Sequence, residues 1–249
     1  MQSAKLPENE EERIKTLSDY SLLDTMPEQI FDDLTKISTE ICNTSISLVT
    51  LVDRDRQWFK SKIGMDAVET SRDVAFCSHA ILQEEVFVVE DTLKDERFFD
   101  NPLVTEEPNI RFYAGAPIKA ANGLALGTLC VIDQKPMQLE DHKVEALVAL
   151  ARQVEVCIEL RRQYELSNKA KKELEAKNGE LASALEEVET LRGIIPICSY
   201  CNQIRNDNGI WERIESYLTK YTDAKFSHGI CPDCVTQVKA SDDYRNIKQ

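Results

Sequence analysis

The sequence predicts an α+β fold on three observations: helix-period apolar spacing over residues 26–42, β-prone runs from Ser45 to Ile132 separated by turn residues, and helix-period spacing again from Leu139. In chain order, Ile30, Phe31, Leu34, Ile37 and Ile41 recur at three- and four-residue steps. Thr25 and Glu28 stand at capping-box spacing with Pro27 tolerable in the first turn, so a helix is expected from about Met26 to Cys42. Ser45 to Val52 is rich in Ile, Leu and Val; Asp53, Arg54 and Asp55 interrupt it and Gln57 to Ile63 resumes it, the pattern of strand, turn, strand. Val86 to Val89 is a further short run. Arg111 to Lys119 and Leu124 to Ile132 flank Ala121, Asn122 and Gly123, and Asn-Gly between two such runs is a strong hairpin signal. From Leu139, a helical face gathers Val144, Leu147, Val148, Ala151, Val154 and Ile158.

A chain of 249 residues holds one or two domains plus connecting structure. With 44 acidic against 30 basic side chains, a net charge of -14, it repels a phosphate backbone, so nucleic acid is not an expected partner. Only 8 glycines occur, and neither a Walker-type nor a dinucleotide fingerprint is present. The longest apolar stretches fall far short of a bilayer span, so no membrane partner is expected. The acidic segment Met1 to Glu12 lacks the marks of a secretory signal, which predicts a cytoplasmic location. Eight cysteines in a reducing compartment are more readily thiols or metal ligands than disulfides.

The segments FDDLTKISTEIC, LVTLVDRDRQWFKS, FCSHAIL, NPLV, IRFYAGAPI, LGTLCVID and ARQVEVCIELR, in that order, closely resemble the GAF domains of bacterial sensory proteins over residues from about 12 to 162. The resemblance implies a central antiparallel sheet with helices on one side and a loop-closed pocket for a small ligand on the other. It also implies a regulatory role in sensing or dimerisation, without naming the ligand. Candidate pocket residues are Trp58, Phe59, Phe76, Cys77, His79, Arg111 and Tyr113, a mixed aromatic and polar set. Arg111 can pair with an anionic ligand or with Asp91 or Asp95. An imidazole at His79 near Cys77 would stabilise a thiolate and make a redox or covalent attachment site. Cys42, Cys130 and Cys157 have apolar neighbours and are expected as small core residues, and His142 as a surface residue.

Residues 161–192 are mostly Glu, Lys, Arg, Leu, Ala and Ser, the composition of a long helix. A heptad register places Tyr164, Lys171, Asn178 and Leu185 at a, and Leu160, Ser167, Leu174, Leu181 and Val188 at d. An isolated Asn at a favours in-register pairing of two strands, so a parallel homodimer is expected, although Gly179 weakens the helix.

Downstream, Cys198 and Cys201, then Cys231 and Cys234, form two CxxC hooks, which can close a tetrahedral thiolate site around zinc. Asn208-Gly209 predicts a hairpin between them, and Ile214, Tyr217, Leu218 and Tyr221 share a helical face. That core is too small to fold unaided, so a metal staple is expected. Iron is the alternative, since the spacing also resembles rubredoxins; Asn202 and Val235 stand where those hooks carry Gly. His228 is a substitute ligand or a hydrogen-bond donor to one. The tail is also similar to a Cys-rich segment that ends various bacterial sensor proteins.

The expected organisation is an N-terminal tail (1–11), a GAF sensor domain (12–160), a coiled-coil linker (161–192), a four-cysteine metal-binding module (193–240) offering a surface to a protein partner, and a C-terminal tail (241–249). The expected function is signal transduction without catalysis, since kinase, cyclase and phosphodiesterase motifs are absent. The competing expectations are a redox protein using tail iron or a reactive Cys77, and a GAF-type methionine sulfoxide reductase, for which Cys77 and Cys130 are the available thiol pair.

Overall fold

The structure, a computed structural model, describes residues 1–192, 195–206 and 208–240, apart from the side chains of 186–192 and 237–240. The expected C-terminal tail at 241–249 and the heptad side chain of Val188 therefore lie outside the described residues. Met1–Lys172 forms one compact unit and a second begins at Glu173.

The first unit is built on a six-stranded sheet of β1 (Ile46–Val52), β2 (Arg56–Ile63), β3 (Glu69–Ser71), β4 (Phe87–Val89), β5 (Phe112–Lys119) and β6 (Ala125–Asp133). Its order is β3-β2-β1-β6-β5-β4, and every neighbouring pair is antiparallel. The hairpin between β5 and β6 turns where Asn-Gly predicts it, and Gly123 supplies the positive φ of 84° that the turn requires. Both faces of the sheet are buried. β1 is buried at all seven positions, Ser47 and Thr50 included, so its burial shows no alternation.

Helices α1 (Glu10–Asp19) and α2 (Gln29–Cys42) and the start of the 52-residue α5 (Asp141–Arg192) cover one face. There Leu17, Phe31, Leu147, Val154 and Ile158 pack on Val49, Leu51, Trp58, Phe112 and Leu129. The face α2 buries differs from expectation. Phe31, Leu34, Thr35, Ser38 and Cys42 turn inward, while Ile30, Ile37 and Ile41 are 37–49% exposed. Hydroxyls decide the rotation: Thr35 is 3.0 Å from Ser61 Oγ, and Ser38 is 2.6 Å from Ser47 Oγ, so the helix seats on the sheet through polar pairs that apolar periodicity does not report. The expected capping box does not form. Thr25 donates to the Leu22 carbonyl, and the Glu28 carboxylate takes Lys60 at 2.6 Å and Arg161 at 2.9 Å, long-range partners that displace the local one.

The opposite face is covered by short elements that periodicity does not predict: a 3₁₀ turn (Arg72–Val74), α3 (Phe76–Ala80) and α4 (Pro102–Thr105). Their second core contains Phe59, Phe76, Cys77, Phe87, Phe98, Val104, Tyr113, Cys130 and Ile132.

In the second unit, β7 (Ile204–Arg205) and β8 (Trp211–Glu212) pair across a turn in which Gly209 has φ 78°, followed by α6 (Ile214–Tyr221) and α7 (Pro232–Ala240). α6 buries none of its residues, and Ile204 is the one buried hydrophobic residue among the described residues after Glu173.

Candidate functional site

Strand parity sorts the predicted pocket residues onto two faces. Because successive side chains point to opposite sides, Phe59 enters the core under α3, whereas Trp58 packs with Leu17 and Phe31 on the helical side, away from the face that carries Cys77. Register carries the same parity across the sheet. Val52 opposes Gln57, Thr50 opposes both Phe59 and Thr128, Leu48 opposes Cys130, and Tyr113 opposes Ile132.

At the centre of this face lies Cys77, 1% exposed, delivered from α3. Its sulfur accepts a hydrogen bond from Thr128 Oγ1 at 3.0 Å and another from Tyr113 Oη at 3.2 Å, and it lies 3.9 Å from Cys130 Sγ. Thr50 Oγ1, 3.1 Å from Thr128 Oγ1, continues the hydroxyl chain. Burial pushes the Cys77 thiol up, but hydrogen bonds from Cys130, Thr128, Thr50 and Tyr113 outweigh it and bring the group down to about 7. Burial and the neighbouring Cys77 charge push Cys130 and Tyr113 well up, so each keeps its proton as a donor. Tyr113 has room because the next same-face residue is Gly115; a Cβ there would lie 2.2 Å from the phenol oxygen.

Aromatic rings roof the sulfurs. Phe76 stacks on Phe98 at 4.1 Å and on Tyr113 at 5.2 Å, and Arg97 lies over Phe87 and Phe98 while pairing with Asp95 at 2.6 Å. Beside Cys77 is a cavity of about 20 Å³, lined also by Gln57, Phe59, Met65, Thr70, Leu103 and Tyr113. Gln57 Oε1 and Thr70 Oγ1 are buried there without a hydrogen-bond partner, and Gln57 is 5% exposed. A larger groove of about 490 Å³, with Val86, Ala116, Val144, Val148 and Arg152, lies on the helical side and contains none of the predicted site residues.

His79, two residues on from Cys77 in α3, meets the Gln2 carbonyl through Nε2 at 3.1 Å and packs edge-on against Phe98. Burial, with the Arg97 charge, pushes it below its ordinary value. The expected imidazole support of Cys77 is thus replaced by hydroxyls. Arg111 donates to the Val104 and Ile110 carbonyls at 2.8 and 3.0 Å, while Asp91 pairs with Lys94 and Asp95 with Arg97, so the anticipated aspartate bridges are replaced by a clasp on the chain leading into β5. Sequence reasoning missed Thr128, Thr50, Gln57 and Thr70 as members of the site. The signal available for Thr128 was its position two residues before Cys130 on one strand.

The tail cysteines form their two turns separately. The Cys201 N–H, the Tyr200 N–H and the Cys201 side chain hold Cys198 below the ordinary thiol value, and the Cys234 N–H and side chain do the same for Cys231. α7 starts directly after Cys231, as its hook predicts. Four thiols are a donor set suited to zinc, yet among the described residues no three His, Cys, Asp or Glu side chains converge as a metal-binding group. No described helix is long and apolar enough to cross a membrane.

The family described as GAF domain matches residues 26–158. A Pseudomonas aeruginosa protein named as a cyclic di-GMP phosphodiesterase is 42% identical over 155 residues, 62% of this chain and 26% of that protein; the chain therefore spans about a quarter of that relative's length. Among solved structures, the PixJ GAF domain of Thermosynechococcus elongatus in its blue-light absorbing form aligns with a TM-score of 0.45 at 15% identity, covering 57% of this chain and 90% of that one. The free methionine-R-sulfoxide reductase of Neisseria meningitidis, in complex with its substrate, aligns with a TM-score of 0.46 at 16% identity, covering 66% and 99%.

Proposed function

We propose, from the premise that the chain belongs to the GAF domain family, that it is a dimeric cytoplasmic signalling protein. In this reading the cavity beside Cys77 receives a small signal, α5 transmits it, and the cysteine tail presents a metal-stabilised surface to a protein partner. The observation that carries the sensory part is that Gln57 and Thr70, whose Oε1 and Oγ1 are buried and unpartnered, line a cavity that Cys77 also lines. Buried polar atoms without partners are costly, and a hydrogen-bonding guest satisfies them. The relationship to a segment of a protein named for cyclic di-GMP turnover supports placement in a signalling pathway.

The relay rests on α5, where Leu160, Tyr164, Leu174, Leu181 and Leu185 are 56–66% exposed in the single chain. Such a stripe at heptad spacing favours pairing with a second copy, with Asn178 selecting the parallel register. For the tail, a unit with scarcely any buried apolar side chain and four thiols in two hooks favours zinc over folding without a metal. The reading assigns no catalytic step to the chain. A sulfoxide reductase would use Cys77 and Cys130, but a cavity of about 20 Å³ has room for roughly one water and not for free methionine sulfoxide.

Native mass spectrometry with metal analysis tests the whole reading. The expected result is a dimer with one zinc per chain, whose tail loses structure on chelation while the first unit stays folded. A metal-free monomer with an ordered tail would overturn it, and roughly one iron per chain in a red preparation would favour the redox alternative.

A further inference from the structure

We propose that Cys77 and Cys130 form a hydroperoxide-reactive thiol pair, in which Cys77 is oxidised by hydrogen peroxide held in the adjoining cavity and Cys130 closes a disulfide with it. This deepens the sensory reading by naming the stimulus. Its test follows the two sulfurs, so it can fail while a dimeric sensor of another ligand stands.

Four observations converge on it. The cavity against Cys77 has room for roughly one water-sized molecule, and two of the residues lining it, Gln57 and Thr70, carry buried polar atoms without a partner, Oε1 and Oγ1. Hydrogen peroxide is the smallest hydroperoxide and donates two hydrogen bonds, so it is the oxidant whose size and hydrogen bonding come nearest to this cavity and its two acceptor atoms. The Cys77 sulfur faces hydroxyl donors, Thr128 at 3.0 Å and Tyr113 at 3.2 Å, which favour its thiolate. Cys130, held with its proton, stands 3.9 Å away as the resolving partner.

The chemistry balances with peroxide as the sole oxidant. The Cys77 thiolate attacks one peroxide oxygen, the O–O bond breaks, and the departing hydroxide takes a proton to leave as water, giving a sulfenic acid. The Cys130 sulfur then attacks the Cys77 sulfur. Its proton leaves with the displaced hydroxide as a second water, and an S–S bond forms. Two thiols lose two electrons and one peroxide becomes two waters. Closing from 3.9 Å to a bond of about 2.05 Å draws the five-residue α3 toward β6, which couples oxidation to the packing of Phe76 and Phe98.

The experiment treats the reduced full-length chain with stoichiometric hydrogen peroxide, alkylates after denaturation, and maps the cysteine peptides by mass spectrometry. A Cys77–Cys130 cross-link lighter by two hydrogens is expected. In Cys130→Ser, Cys77 is expected as a sulfenic acid trapped by dimedone, and Thr128→Val should slow its formation at least about threefold at neutral pH. Hydrogen peroxide should outpace cumene hydroperoxide, which does not fit the cavity. Recovery of both Cys77 and Cys130 as alkylated thiols while tail cysteines oxidise would overturn the proposal. So would cross-linking of Cys77 to a tail cysteine instead, or equal rates with the bulky oxidant. The wild-type map needs no variant, so misfolding of a substituted chain does not decide the outcome.

Discussion

Replacing Glu10 with Gln should destabilise the first unit more than removal of any other acidic charge in α1. Glu10 is the common anion of two guanidinium groups. Arg13, 1% exposed, donates to its carboxylate at 2.7 and 2.8 Å and to the Val52 carbonyl at 2.7 Å, and Arg72 reaches the same carboxylate and the Asp53 carbonyl. The cluster fastens α1 to the end of β1. Burial pushes the Glu10 carboxyl up, yet Arg13 and Arg72 outweigh it and draw the group from its ordinary 4.5 to about 2. A lowered folded-state value contributes stability that is present above about pH 4.5 and lost as pH falls toward 2. At 1.36 kcal/mol per pH unit the displacement is worth about 3 kcal/mol, or about 2 kcal/mol once screening at its open edge is allowed for. Glu10→Gln keeps the shape but leaves two guanidinium groups facing each other without an anion, so about 3 to 5 kcal/mol should be lost at pH 7. Urea unfolding followed by Trp58 fluorescence in a Trp211→Phe background measures it. The wild type should weaken between pH 4.5 and 2 more than the variant does. A loss below about 1 kcal/mol at pH 7, or identical acid slopes, would refute the reasoning.

Three further outcomes follow from close contacts, titration and exposure. A Cβ on Gly127 would fall 1.8 Å from the Thr50 carbonyl oxygen of the paired strand, so Gly127→Ala should separate β1 from β6 and cost about 3 kcal/mol in thermal or urea unfolding. Thiolate ultraviolet absorbance, taken as wild type minus Cys77→Ser, should rise with a midpoint near pH 7. Gly115→Ala, by moving the Tyr113 hydroxyl off the sulfur, should shift that midpoint upward; an unmoved midpoint would detach Tyr113 from the thiolate. The paired change Leu174→Asp and Leu181→Asp, at positions 60% exposed, should convert a dimer to monomer in analytical ultracentrifugation without lowering the unfolding midpoint of the first unit.

β1, β2, β4, β5 and β6 and the hairpin between the last two are legible in the sequence because their signals are local, β-branched runs, an Asn-Gly turn and interrupting aspartates, whereas the three-residue β3 is not. The elements it hides have no local signature. α3 and α4 are five and four residues long, too short for a period, and form where Phe76, Phe98 and Val104 find an apolar sheet face to cover. α2 is legible as a helix but not in its rotation, since Thr35 and Ser38 are inward for hydrogen bonds to the sheet while three isoleucines face out.

For the site, the obstacle is that a sheet buried on both faces removes the alternation that normally tells inside from outside. Trp58 and Phe59 are both apolar and both buried, so composition cannot separate them; only parity from a fixed point can. That fixed point is Cys130. Once it faces Cys77, parity along β6 puts Thr128 beside it, register puts Thr50 opposite Thr128, and the opposing strand end brings in Phe59 and Gln57. The bulge between Val49 and Thr50 interrupts parity toward the other end of β2, which lets Ser61 reach Thr35 on the helical side although Phe59, two residues before it, does not. The site around Cys77 is thus a consequence of strand parity on one face, and the residues that tune the sulfur follow from a single spatial fact about two cysteines 53 positions apart in the chain.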